Sequence, residues 1–248
     1  MIRLSFSAIP SGHANRASVG TQKLWDEWKN SGFIPKANPA IYAHPDVKKA
    51  LRKAQHNKCA YCETINPTSH DVVEHFRPKN GWQQERGDKL GKPAYFWLSY
   101  DWENLLFACD RCNDAAHKAN LFPLSNPRQR ADAISPDVRR EKPLLINPYN
   151  TDPNRHIEWN KDIPRLRGKS RRGKTSIEVF GLDHDDLLGD QRRAYFKEIE
   201  DLIELVESYS PHNAVRQAVT QRLTMCLEDA APWAAMIRSN FSKRIRNL

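Results

Sequence analysis

Cys59-Ala60-Tyr61-Cys62 and Cys109-Asp110-Arg111-Cys112 decide the fold of this chain. A CxxC knuckle presents two thiolates to one tetrahedral ion, and two knuckles close a four-sulfur site. Thiolates are soft donors that favour zinc over magnesium. With all four positions filled by protein, no position is left for water, so such an ion is structural. A redox CxxC, an iron–sulfur cluster and coincidence are the competing readings. Two paired knuckles in a reduced protein favour structural zinc. A fifth cysteine, Cys226, makes the count odd, which argues against a disulfide framework. It falls with Leu223 and Leu227 on a helical pattern and reads as a small buried hydrophobe.

Residues 63–108 are closed into a loop by the clasp. Inside it, residues 70–76 are β-branched at their centre and suit a strand. Asn104-Leu105-Leu106-Phe107-Ala108 suits a second strand or a short apolar approach to the second knuckle. Residues 113–119 suit a helix. Upstream, residues 1–20 suggest little structure, and residues 21–30 a short helix stopped by Ser31-Gly32. His44-Pro45-Asp46 opens a second helix with Val47, Leu51 and Ala54 on one face. Residues 125–175 are proline-rich and read as loop, with Arg165, Arg167, Lys169, Arg171, Arg172 and Lys174 as a basic run. That run could track a phosphate backbone or simply be solvated.

Beyond it, Leu187, Leu188, Tyr195, Ile199, Leu202 and Val206 recur at helical spacing. Ser210-Pro211 and Pro232 mark the starts of two further helices. Trp97, Tyr100 and Trp102 lie in the most aromatic stretch, which suits core packing over the clasp better than base stacking. The expected fold is α+β and predominantly helical. A ββα-metal core with a four-cysteine structural zinc is surrounded by helices. The expected regions are 1–44, 45–124, 125–180 and 181–248.

Lys and Arg exceed Asp and Glu by 39 to 30, so the formal charge is +9 and a polyanionic partner fits. No apolar run approaches the roughly 18 residues that a membrane span needs. The first residues, Met1-Ile2-Arg3-Leu4-Ser5-Phe6, do not read as a signal peptide, so a cytoplasmic protein is expected.

Between the knuckles lies Glu74-His75. A carboxylate can give an oxygen to a hard divalent cation. An imidazole can take a proton from water near neutral pH. Strand neighbours point to opposite faces, so the two would divide labour at a bend before Pro78.

The ordered series Cys59/Cys62, Glu74-His75, Asn104, Cys109/Cys112, Asn113 resembles the HNH nucleases. The resemblance implies His75 as general base and Glu74 as metal ligand. It implies that Asn104 braces the inter-strand loop and so orients His75, and that Asn113 is the second metal ligand. His117, one helical turn beyond, would be a third ligand or a phosphate contact. An amide at position 113 suits magnesium or manganese. Arg77, Lys79 and Lys118 would hold flanking phosphates or be ordinary solvated charges.

Cys62-Glu63, Glu74-His75-Phe76-Arg77-Pro78-Lys79, Tyr100-Asp101-Trp102-Glu103-Asn104-Leu105 and Asn120-Leu121-Phe122-Pro123-Leu124 are similar to the HNH subunit family (PtuB) of Septu anti-phage systems and its retron-associated relatives. Leu144-Leu145-Ile146-Asn147-Pro148 and Glu178-Val179-Phe180-Gly181-Leu182 extend the similarity over residues 45–195. It implies an endonuclease acting on DNA, or on tRNA. The implied partners are the SMC-like ATPase PtuA and, in a retron setting, a reverse transcriptase with its RNA–DNA hybrid. A catalytically silent zinc module that binds nucleic acid or scaffolds the ATPase is the alternative. Such a module needs the cysteines but not Glu74, His75, Asn104 or Asn113.

Overall fold

Gly12, at φ 80°, turns the chain into the first helix, α1 (His13–Ser31). The computed structural model describes residues 1–65, 72–160, 163–184, 186–210 and 213–248. Helix α1 starts well before residue 21, which corrects the expectation of little structure in residues 1–20. Its early turns carry no apolar stripe for periodicity to detect. Instead His13 is buried with Nε2 3.0 Å from the Tyr100 carbonyl. Gly20 supplies a close approach, because a Cβ there would lie 2.6 Å from Ile41 and 2.7 Å from the Tyr100 ring. Gly32 ends the helix at φ 70°, its N–H donating to Trp28 O.

Helix α2 is the single turn Pro39–Tyr42, capped by the Asn38 side chain. Helix α3 (Pro45–Ala54) has Pro at its first position and buries Val47 and Leu51. Strands β1 (Val72–His75) and β2 (Leu105–Ala108) pair antiparallel, with His75 opposite Leu105 and Glu74 opposite Leu106. Expected strand residues 70 and 71 lie outside the described residues. Val47 and Leu51 pack on Val73, Trp102, Leu105 and Phe107. Gln55 just past α3 acts as a backbone surrogate for β2: its Oε1 accepts from Phe107 N at 2.8 Å and its Nε2 donates to Phe107 O at 2.7 Å.

The helix expected over 113–119 is absent. In its place α4 (Asp110–Asn113) is one turn. Asp114 is extended, and its carboxylate accepts the His117 N–H at 3.0 Å. This local bond outcompetes the helical one, and Ala119 then turns left-handed at φ 39°.

Residues 125–156 are mainly turns, as their prolines suggest. The loop expectation fails just beyond them. Strands β3 (Ile157–Trp159) and β4 (Leu166–Gly168) form an antiparallel hairpin, and α5 (Arg171–Val179) follows, capped by Ser170. Three-residue strands and a helix rich in Arg, Lys and Gly carry too few apolar positions for periodicity to register.

Helices α6 (Leu187–Glu207), α7 (Ala214–Met225) and α8 (Ala234–Arg246) complete the chain. Pro211 lies outside the described residues, and α8 begins after Trp233. Leu187, expected on the buried face of α6, is exposed. Tyr95, Phe96, Trp97, Tyr100 and Trp102 are all buried. One cluster of buried residues runs from Met1 to Ile245 and includes the four knuckle cysteines, so the four sequence regions share a core. Among the described residues no helix is long and apolar enough to cross a membrane.

Candidate metal centre and histidine pocket

The clasp is formed by two local devices. After α3 the chain enters a knuckle in which Cys59 N donates to Thr64 O at 3.0 Å and Glu63 N to Cys59 O at 3.1 Å. Glu63 takes a left-handed conformation at φ 63° to close it. The second knuckle begins where β2 ends, and the turn of α4 brings Cys112 back beside Cys109. The sulfurs of Cys59, Cys62, Cys109 and Cys112 lie within 4.8 Å of one another, all in buried residues, and can hold a metal ion. Cys62 Sγ and Cys109 Sγ are 3.7 Å apart. A zinc–sulfur bond of about 2.3 Å gives a tetrahedral edge of about 3.8 Å, so the spacing fits that ion. Hydrogen bonds from the other three thiols hold Cys62 well below the usual thiol range, while burial pushes Cys59 well above it.

The surroundings fix this clasp in the core. Tyr61 stacks on Phe180, with ring centroids 3.8 Å apart. Glu63 is buried and pairs with Lys58 Nζ at 3.2 Å and with the Met1 ammonium. Lys58 also donates to Ala231 O at 2.9 Å. These two buried charges tie the knuckle to the segment before α8, and nothing in their local sequence signals it.

Glu74 and His75 end β1, and both border one cavity of about 340 Å³ together with Lys79, Asn113 and Asn120. Adjacent strand positions share a site here because His75 is the last residue of the strand and the chain bends immediately after it. His75 Nε2 lies 2.9 Å from the Ser99 carbonyl. A carbonyl only accepts, so Nε2 carries the proton and Nδ1 keeps the lone pair. The ring stands edge-on to Tyr42 at 4.7 Å. Burial, then the Lys79 charge, bring the imidazole down to about 3, so it is neutral at neutral pH.

Asn104 is buried and braces the bend. Its Oδ1 accepts from Arg77 N at 2.7 Å, and its Nδ2 donates to Arg77 O and Leu98 O, each at 3.1 Å. Its own carbonyl accepts from Phe76 N at 2.9 Å. The bend after His75 is thus held by three bonds, and the fourth ties Asn104 to Leu98.

Lys118 is not a surface phosphate contact. It is fully buried, its ammonium pairs with Glu74 Oε1, and it donates to His75 O at 3.0 Å. Burial pushes the Glu74 carboxyl up, against the pull of Lys118. Lys79 does border the cavity, with Nζ 5.0 Å from the Tyr42 ring centroid. Arg77 is engaged elsewhere: its Nε donates to the buried Glu141 at 2.8 Å, and its guanidinium lies over Phe122.

His117 does not border the cavity. Without the expected helix it turns away, with Nδ1 2.8 Å from Asp114 and its ring 5.8 Å from that of His184. In the basic run, Arg165 pairs with Asp183, Arg167 with Glu158, and Arg172 donates to Leu145 O. Asn120, Tyr42 and Ser99 join the site without a sequence signal, since each reaches it only through the tertiary fold.

The fold and the site together define a class: a small α+β protein whose β-hairpin, clasped by four cysteines, holds a neutral histidine beside a buried acid. The chain is 40% identical over 206 residues to Septu protein PtuB of Bacillus mycoides, a match covering 81% of this chain and 68% of that one. It belongs to the Septu PtuB family. Septu protein PtuB of Bacillus thuringiensis is 27% identical over 244 residues, 94% of this chain and 77% of that one. Septu protein PtuA of Bacillus mycoides is 26% identical over 156 residues, which is 63% of this chain but 21% of that longer protein. No protein-family model matches the chain, and no solved structure matches it.

Proposed function

We propose that this chain is a metal-dependent endonuclease of the HNH type. On this reading it is the effector of a Septu anti-phage complex, acts in the cytoplasm with the SMC-like ATPase PtuA, and hydrolyses phosphodiester bonds of nucleic acid, DNA foremost. The observation that carries the reading is His75: fixed in one tautomer by Ser99 and bordering a cavity shared with Glu74 and Asn113. The four cysteines hold structural zinc, and the β-hairpin with α4 is a short form of the ββα-metal core.

Among the cavity's oxygen donors, the Glu74 carboxylate and the Asn113 amide suit magnesium or manganese. A carboxylate has two oxygens, and pairing to Lys118 through Oε1 is compatible with Oε2 serving a cation. Such an ion supplies Lewis-acid stabilisation of the charge that develops on the phosphate and leaving oxygens. The chain's own groups do the rest. His75 Nδ1 takes the proton of the attacking water. Asn104 keeps the imidazole in place by fixing the bend behind it. Lys79 meets the phosphate's charge at the rim.

One observation favours the silent-module alternative: Lys118 already neutralises Glu74. Cleavage decides between the two. The chain, alone and with its ATPase subunit, is offered plasmid DNA and total RNA with magnesium or manganese. Cleavage is expected from the wild type and none from His75→Ala, which keeps its fold and zinc. Undiminished cleavage by His75→Ala, prepared free of contaminating nuclease, removes His75 from the mechanism.

A further inference from the structure

Helix α3 separates its apolar and basic residues onto two sides. At about 100° per residue, Val47, Leu51 and Ala54 share one face, which meets β1 and β2 through Val47 and Leu51. Lys48, Lys49 and Lys53 fall on the other side. An open groove of about 880 Å³ runs along these lysines and is bordered by Ala43, His56 and Ala230. Among the described residues no carboxylate borders it. Asp46, the acid of α3, is drawn away to Arg16 at 2.8 Å. Among the described residues none of Lys48, Lys49 and Lys53 forms an ion pair. Arg52, also on the groove, lies over the Phe107 ring.

Two features give this row a direction. Ala43 borders both the groove and the His75 cavity, so the two share a wall. Lys48 and Lys49 follow the first turn of α3 directly, towards the positive end of the helix dipole, where a cation gains nothing. The helix itself therefore does not account for these charges.

We propose that α3 is a nucleic-acid docking helix. Lys48, Lys49 and Lys53 take the phosphodiester backbone and lead it past Ala43 to the His75 cavity. The proposal rests on the nuclease reading, and it adds a binding surface outside the knuckle-to-knuckle segment. A phosphate backbone is the partner that fits an open row of lysines without ion-pair partners, continuous with a cavity suited to a phosphodiester.

The test measures binding and not cleavage, so that it stands apart from the nuclease assignment. The full chain carrying His75→Ala is titrated against a labelled DNA duplex and a folded RNA of similar length, at several salt concentrations. Lys48→Gln/Lys49→Gln/Lys53→Gln is compared with Lys29→Gln/Lys89→Gln/Lys142→Gln, three exposed lysines elsewhere. The α3 variant should bind roughly tenfold or more weakly on at least one probe, with the slope of log K against log salt reduced by roughly 2–3. The control should match its parent, and the probe affected identifies the nucleic acid. Equal binding by the two triple variants overturns the proposal, as does salt-independent binding. Loss of ATPase-subunit binding with nucleic-acid binding intact assigns the helix to a protein partner and likewise overturns it. Should wild-type cleavage be absent while the α3 variant still loses binding, the docking helix stands and the nuclease reading falls.

Discussion

The Lys118 ammonium is buried against the Glu74 carboxylate, at the end of the strand that carries His75. Removing one partner of a buried pair strands the other charge, at about 3–5 kcal/mol. Lys118→Met should therefore melt roughly 10 °C or more below the wild type in chelator-treated buffer. If Glu74 is a cation ligand, manganese should restore part of that loss, because a divalent ion replaces the missing charge. Thermal melting with and without manganese reads both effects. An unchanged melting temperature removes the pair from the stability account, and a loss that manganese leaves untouched counts against Glu74 as a ligand.

The clasp makes a second prediction. Zinc binding to a site of this kind contributes directly to folding. Purified protein should carry one zinc per chain by elemental analysis. Cys109→Ser should lower the metal content and shift the protein into the insoluble fraction, because Cys62 loses a neighbour 3.7 Å away and the knuckles are no longer joined at four points. Cys226→Ser, outside the cluster, should keep the full zinc content. Iron or no metal in the wild type would replace the zinc assignment.

What was legible in the sequence is what is local. The knuckles are read from a spacing of three, the first strand from its β-branched Val72-Val73, and the second from an apolar run that ends at the second knuckle. The resemblance singled out Asn104, and its side chain makes three hydrogen bonds, to backbone groups of Arg77 and Leu98. What escaped depends on contacts made elsewhere. Whether Lys118 is a solvated charge or a buried counter-ion is set by a strand 43 residues earlier. The helix expected after Cys112 was ended by one Asp114 carboxylate, which also took His117 out of the site. The early turns of α1 are held by a histidine and a glycine, neither of which contributes to an apolar stripe.

Asn104→Ala tests that brace directly. It leaves the Arg77 N–H and the carbonyls of Arg77 and Leu98 without their side-chain partner, and each stranded group costs about 1–3 kcal/mol. Asn104→Asp keeps the acceptor for Arg77 N but loses both donors. Alanine is therefore expected to melt below aspartate, and both below the wild type. Asn104 is buried and does not border the cavity, so the loss of cleavage should track the disorder of the bend, read as faster amide exchange at Phe76 and Arg77. Full activity together with increased exchange would separate the bend from the chemistry.

The last prediction concerns the hairpin and helix that periodicity did not reveal. Gly173, in the first turn of α5, packs so close to the β3–β4 hairpin that a Cβ would stand 1.9 Å from the His156 carbonyl oxygen. That neighbour is backbone, and it already accepts from Lys169 N at 2.7 Å, so it cannot swing aside as a side chain would. Gly173→Ala must push α5 off the hairpin, and overpacking of this kind costs about 1–3 kcal/mol or more. Helix propensity works in the opposite direction, by at most about 1 kcal/mol in favour of alanine. The sign of the measured change therefore decides which effect wins. A drop in melting temperature is expected. A rise would mean that α5 stands clear of His156 in solution. Zinc content should stay unchanged in either case, because Gly173 lies in neither knuckle.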